Sequence, residues 1–364
     1  MPAKRSVERF VRNIMSDEDS VNFKLLSDIV FSDQMKNHNG ESILYSDTGR
    51  EDQFRMIILS NSELIQFASR CTEFQMDGTF KLCPRVYNNG LTNNGQLYSI
   101  HAKSNGILVP CFYALMARKS AAEYSRLFAK ISEISSFNPS SVMIDMEQAV
   151  ASTLQQLYPS CSVVFCFFHF KQSIWNWINS NGMAQKYSDH GNNVLRSVVN
   201  KHVCLAFIPP NDVIELFEEI QNSVEDSNDD DIHAFLGYFE SSFIGRLRRN
   251  GQRGQARHPI EKWNQNSNVL TGSNRTNNSV EGWHHSLSTI CSCDHPSFAK
   301  FLSVIKEDMS NSHIKLVQNS TGITPTPQRT TYRNLNERIL NIVNMYDPDD
   351  KMATISSLSL IFHF

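Results

Sequence analysis

Three acidic residues stand out for the kind of sequence around them. Asp77 sits in "EFQMDGTFKL", where Phe74, Met76 and Phe80 are apolar and Thr79 suits a pleated strand. A carboxylate on such a segment is costly unless a cation, a hydrogen-bond network or a metal pairs with it. Asp145 closes the short apolar run "SVMIDM", and Glu281 lies in the first turn of the helical pattern "NNSVEGWHHSLSTI". Carboxylates are the usual protein ligands of magnesium and manganese. Two such ions held close together can activate an attacking oxygen and stabilise a leaving one in phosphodiester chemistry. Each acid has a plainer use as well: a turn residue for Asp77, a helix N-cap for Asp145, and a dipole partner for Glu281.

Other residues carry chemistry of their own. Cys166 and His169 in "CFFHF" have a C-x-x-H spacing that invites zinc, and "CSCDH" adds Cys291, Cys293 and His295. No second pair lies at finger spacing, so a buried cysteine with a partnered histidine is preferred and structural zinc is not expected. His284 and His285 beside Trp283 read as a half-buried helical pair or as neighbours of a phosphate or metal site. Arg246, Arg248, Arg249, Arg253 and Arg257 cluster in the Gly-broken loop "RLRRNGQRGQARHP". That loop either contacts a polyanion or balances the acidic run "EDSNDDD" before it.

The elements that must position these groups follow from hydropathy. Short strands are expected at 42–46 and 54–60. Three more, over 71–82, 96–102 and 107–116, are separated by the Asn- and Gly-rich breakers "YNNGLTNNG" and "KSNG". Ser120 and Glu123 form a capping-box pattern for a helix carrying Tyr124, Leu127, Phe128, Ile131 and Ile134 on one face. A strand at 141–146, a helix stopped before Pro159 and a continuous apolar strand at 162–170 complete the series. This order matches an α/β fold with a ribonuclease H-like mixed sheet flanked by helices, in which the first core strand lies beside the fourth. Asp77 and Asp145 would then come from neighbouring strands.

The expected organisation is an N-terminal segment, 1–68, then a principal domain, 69–310, then a polar linker and tail, 311–364. A mostly helical insertion, 171–275, interrupts the principal domain before Glu281. Asn278 is the expected cap of the helix after the insertion, with Trp283, Leu287 and Ile290 on one face, and 297–309 forms another. The end "SSLSLIFHF" reads as a final strand or an irregular terminus.

Bulk properties narrow the classes. With 364 residues, 40% of them apolar, the chain can build a core; no run is long enough for a membrane span, and the N-terminus lacks a secretory pattern. Eight scattered cysteines point to a reducing compartment, cytosol or nucleus. A net charge of −3 excludes a chain devoted to non-specific nucleic-acid binding.

Taken together, "MDGTFKLCP", "QLYSIHAKSNGILVPCFYALMARKS", "MIDMEQAV", "CFFHFKQSI", "LAFIPPNDV", "YFESSFIGRL" and "RTNNSVEGWHHSL…HPSFAKFL" resemble the Mutator-like element (MULE) transposase domain, in the animal type found beside FLYWCH zinc fingers. The resemblance runs from about 40 to 310. It implies a ribonuclease H-like fold with a DDE triad on Asp77, Asp145 and Glu281, two Mg2+ or Mn2+ ions, and Cys166 and His169 as the C-x-x-H motif. It also implies DNA as partner, hydrolytic nicking followed by strand transfer, a homo-oligomer in the active form, and a nuclear location, with neither a membrane nor a small-molecule cofactor. No zinc finger is visible before residue 40, so its recognition part is either missing or reduced to "PAKRSVERFVRN". The alternative is a catalytically inactive, co-opted transposase that binds DNA or protein in the nucleus.

Overall fold

A computed structural model describes residues 23–88, 95–189, 193–323 and 330–362. The N-terminal "PAKRSVERFVRN", most of the "YNNGLTNNG" breaker and part of the polar linker lie outside the described residues. The chain divides into two compact units: Met1–Val163 with Asn277–Pro325, and Val164–Thr276 with Thr326–Phe364. No helix among the described residues is long and apolar enough to cross a membrane.

The first unit is a mixed α/β structure built on a seven-stranded sheet. Its strands are β1 (Leu44–Asp47), β2 (Ile57–Leu59), β3 (Glu73–Thr79), β4 (Gln96–Ser104), β5 (Ile107–Met116), β6 (Ser141–Ile144) and β7 (Ser162–Phe165). Their order across the sheet is β1-β2-β5-β4-β3-β6-β7. Strands β3, β4 and β5 form an antiparallel meander, and β3 pairs with β6 in parallel. The first core strand therefore sits beside the fourth, as the sequence order predicts. Strand β5 is buried from Val109 to Met116, which explains its unbroken apolar run.

The helix Ala121–Ile134 begins where expected: Ser120 Oγ accepts from the Glu123 N–H at 3.3 Å. Tyr124, Leu127, Phe128 and Ile131 are fully buried along one face. Each contributes roughly 1.5–3 kcal/mol of apolar burial. Two returning helices, Asn278–Cys291 and Phe298–Ser320, pack on β3 and β5 respectively. In the first of these, Leu287 is buried but Ile290 is 41% exposed, so the expected three-residue apolar stripe ends a turn early.

The second unit is helical. Its longer helices are Phe167–Ser180, Val194–Cys204, Val213–Asn222, Asp230–Phe239, Thr330–Asn344 and Lys351–Ser359. An aromatic core joins Phe170, Phe239, Phe243 and Trp263, with the Phe170 and Trp263 rings stacked at 5.1 Å. Two expectations are corrected here. The run 162–170 is not one strand, because the chain turns into a helix at Phe167. Residues 330–359, read as part of the polar linker and tail, contain two helices, held by Lys351 on Asp212 and Glu215 and by Tyr346 on Asp212.

A five-residue π-helical turn, Glu240–Ile244, ends at Gly245, whose φ is +95°. A Cβ there would lie 2.0 Å from the Gly254 carbonyl oxygen. Gly245→Ala combines left-handed strain with a backbone collision and should destabilise the chain by about 2 kcal/mol or more. Urea unfolding followed by tryptophan fluorescence reads this directly, since Trp175, Trp177 and Trp263 belong to the same unit. An unchanged midpoint would show that the hairpin beyond Gly245 moves aside freely.

Candidate functional site

Asp77 lies near the carboxyl end of β3 and is 9% exposed. Its Oδ1 accepts from the Gly78 N–H at 2.8 Å, and its Oδ2 is 3.5 Å from His284 Nδ1. Its carbonyl accepts from Ser99 Oγ at 3.3 Å. The same hydroxyl is 3.3 Å from His284 Nε2 and 3.0 Å from His101 Nε2. His101 is fully buried, and burial, followed by the proximity of His284 and Lys315, holds its pKa well below the ordinary histidine value.

The Asp-Gly pair is not a turn. Gly78 is a strand residue paired with Tyr98, and a Cβ on it would lie 2.2 Å from Gln96 Oε1. The missing side chain makes room for a buried chain of hydrogen bonds. Gln96 Nε2 donates to the Tyr124 hydroxyl at 2.8 Å, and that hydroxyl donates to Glu147 Oε1 at 2.8 Å. The other Glu147 oxygen is 3.4 Å from Lys119 Nζ.

Asp145 follows the last residue of β6. The parallel register pairs Glu73 with Ser141, Phe74 with Val142 and Gln75 with Met143. The pairing ends there, and Asp77 and Asp145 each lie two residues beyond it. Burial raises the pKa of the Tyr98 hydroxyl well above the usual value, and Tyr124, Asp145, Glu147 and Asp77 push it further in the same direction. Asp145 does not occupy the N-cap position of the next helix. Glu147 does, and its side chain makes no capping bond.

Glu281 is half-buried in the first turn of Asn278–Cys291. Asn277, rather than Asn278, precedes that helix, and its side chain reaches the sheet, where Nδ2 donates to the Met76 carbonyl at 3.1 Å. Three residues after Glu281, His284 meets Asp77 and Ser99. Between them, Trp283 Nε1 donates to both oxygens of Asp308 at 3.0 Å, and the Tyr113 hydroxyl donates to Asp308 at 2.6 Å. The face bearing Glu281 is thus pinned to β3 on both sides, at Met76 and at Asp77. Asp77 and Glu281 are thus carried on a strand and a helix that pack against each other.

Cys166 and His169 belong to the second unit, where Cys166 is fully buried just before Phe167–Ser180 and His169 is half-buried in its first turn. In the first unit, Cys291 and Cys293 have their sulfurs 3.9 Å apart, and His295 Nδ1 is engaged by the Cys83 carbonyl and by Asn88. The arginine segment is a small hairpin: Leu247 bridges Arg253, and the Gly251 N–H closes the turn on the Arg248 carbonyl. Arg246, Arg248, Arg249 and Arg257 are exposed on it. Arg253 is committed internally, to Glu218 at 2.6 Å and Glu240 at 2.8 Å, with its guanidinium over Phe217. It therefore departs from the expected phosphate role.

Sequence reasoning missed Glu147, Ser99 and His101; of the two candidate histidines, His284 is the one that meets Asp77. "MIDMEQ" does contain a second acid two residues after the first, and that was the available signal.

Residues 74–173 match the family model of the MULE transposase domain. The resemblance read from the sequence thus holds over a stretch that includes Asp77, Asp145, Cys166 and His169, while Glu281 lies beyond it. No curated protein matches the chain. The match indicates a transposase or transposase-derived function.

Proposed function

We propose that the protein is a DDE-type nuclease of transposase descent, acting on DNA in the nucleus through Asp77, Asp145 and Glu281. The observation that supports this reading is the parallel pairing of β3, which carries Asp77, with β6, which Asp145 follows, together with the contacts of Asn277 and His284 of the Glu281 helix with Met76 and Asp77. The strand order supports a ribonuclease H-like sheet. Mg2+ or Mn2+, when bound, would supply Lewis-acid activation of water and of a strand's 3′ hydroxyl. The chain's own part is positional. The Gly78 N–H holds one oxygen of Asp77, His284 faces the other, and Asn277 anchors the start of the Glu281 helix to the same strand.

Glu281→Gln keeps the shape of the side chain but removes its charge. Plasmid nicking by the wild-type chain should require Mg2+ or Mn2+, stop in EDTA, and be lost in Glu281→Gln. Nicking undiminished by that change would remove Glu281 from the site. Strand transfer needs two ends held together, so the active form is proposed to be an oligomer.

The net charge of −3 favours a second reading, a co-opted relative that binds DNA without cutting it. In that case no variant of the acids alters DNA affinity, and wild type shows no turnover. Either way the hairpin arginines are proposed phosphate ligands. Arg248→Ala with Arg249→Ala should lower the slope of log affinity against log salt by about 1.8 on duplex DNA, the loss of two phosphate contacts. An unaltered slope would leave the hairpin without a role in DNA binding.

A further inference from the structure

Phe80 follows directly on β3, three residues past Asp77, and is 42% exposed. Its ring is not idle, because Lys119 Nζ lies 4.5 Å from its centroid. The lysine is held in turn: Glu147 Oε2 is 3.4 Å from its ammonium, and Glu147 Oε1 accepts from the Tyr124 hydroxyl at 2.8 Å. Lys119 extends from the end of β5, Phe80 from the end of β3 and Glu147 from the chain just past β6. The ring and its cation therefore bridge the two segments that carry Asp77 and Asp145.

We propose that Phe80 and Lys119 form a stacking subsite for an unpaired nucleobase next to the phosphate addressed by the acids. The proposal rests on the reading of Asp77 and Asp145 as a DNA-processing site and names its substrate: an end whose terminal bases are frayed or single-stranded. Every base presents a π-face to an aromatic ring, so such a subsite is tolerant of sequence. Bases inside a duplex have both faces covered by neighbours, so only an extruded or unpaired base can be received. The ammonium over the ring supplies the matching positive charge for the adjacent backbone phosphate. An extended chain covers about 10 Å in three residues, which places the ring within reach of a nucleotide neighbouring the acids.

The test is fluorescence anisotropy on the full chain in EDTA, where binding is read without cleavage. Three labelled DNAs are compared: a duplex with a short unpaired overhang, the same duplex fully paired, and the overhang duplex with abasic residues in place of the unpaired bases. Wild type should prefer the natural overhang. Phe80→Ala should weaken that complex about 5- to 150-fold, the worth of one base stacked on an aromatic ring, and leave the other two unchanged. Phe80→Trp should restore the preference, and the melting temperature of Phe80→Ala should match wild type. If Phe80→Ala binds all three DNAs as wild type does, the subsite is wrong while the acid site still stands on its nicking assay. If wild type binds none of the three, the DNA reading fails and this proposal fails with it.

Discussion

Asp145→Ala is expected to slow metal-dependent nicking by at least about a thousandfold, which corresponds to about 4 kcal/mol of lost transition-state stabilisation. Asp145 is half-buried just past the end of β6, so alanine there leaves the strand and its pairing with β3 intact. Carboxylates gathered without a cation repel one another. Removing one relieves part of that repulsion, and an Asp145→Ala chain that still melts cooperatively in EDTA while losing the rate marks a ligand rather than a structural acid. Asp77→Ala should lose as much rate but also some stability, because the Gly78 N–H and His284 both lose a partner. A variant of Asp145 that nicks within tenfold of wild type would exclude it from the chemistry.

The largest effect on stability is expected at Arg55, 2% exposed and without a role at the acids. Its guanidinium grips Asp47 with two bonds, Nε to Oδ1 at 2.7 Å and Nη2 to Oδ2 at 2.6 Å. Its Nη1 also donates to the carbonyls of Leu26 at 2.7 Å and Ile29 at 2.9 Å. Arg55→Ala leaves a carboxylate and two carbonyls without their donor and should cost about 3–5 kcal/mol. For a unit of this size that is a fall in melting temperature of roughly 6–20 °C. Burial pushes the Asp47 carboxyl up, but the hydrogen bonds from Arg55 and Gly49 and the charge of Arg55 outweigh it and hold the pKa below 3.8. A depressed carboxylate stabilises the folded state above its unfolded pKa, and that stabilisation is lost as pH falls through the lower folded value. The gap between wild type and Arg55→Ala should therefore be full near neutrality and narrow below about pH 4. A gap that stays constant down to pH 2 would mean that the ion pair is not its source.

The meander and the β3–β6 neighbourhood were legible because alternating or continuous apolar runs were bounded by turn residues. Asp77 and Asp145 stood out for the same reason, as charges at the ends of segments that want burial. The run "SVVFCFFHF" misled because a buried strand and the first turn of a buried helix look alike in hydropathy. Only the switch at Cys166 distinguishes them. The C-terminal helices escaped notice since Thr330–Asn344 buries just Ile339 and Val343 among polar residues. Nothing local in the sequence reveals that Tyr124 reaches Glu147 from another helix. His284 and Ser99 meet Asp77 only through tertiary contact, which no spacing announces.

The excursion of the chain through a separate unit, from Val164 to Thr276, also sets a timetable. A ribosome adding about 5–20 residues per second needs roughly 7–27 s to travel from Asp145 to Glu281. Throughout that interval the nascent chain holds two of its three acids, and the helix that delivers the last has yet to be made. If the proposed chemistry holds, the newborn chain stays harmless to nucleic acid around it until translation is nearly done, and a message truncated within the excursion yields a silent product.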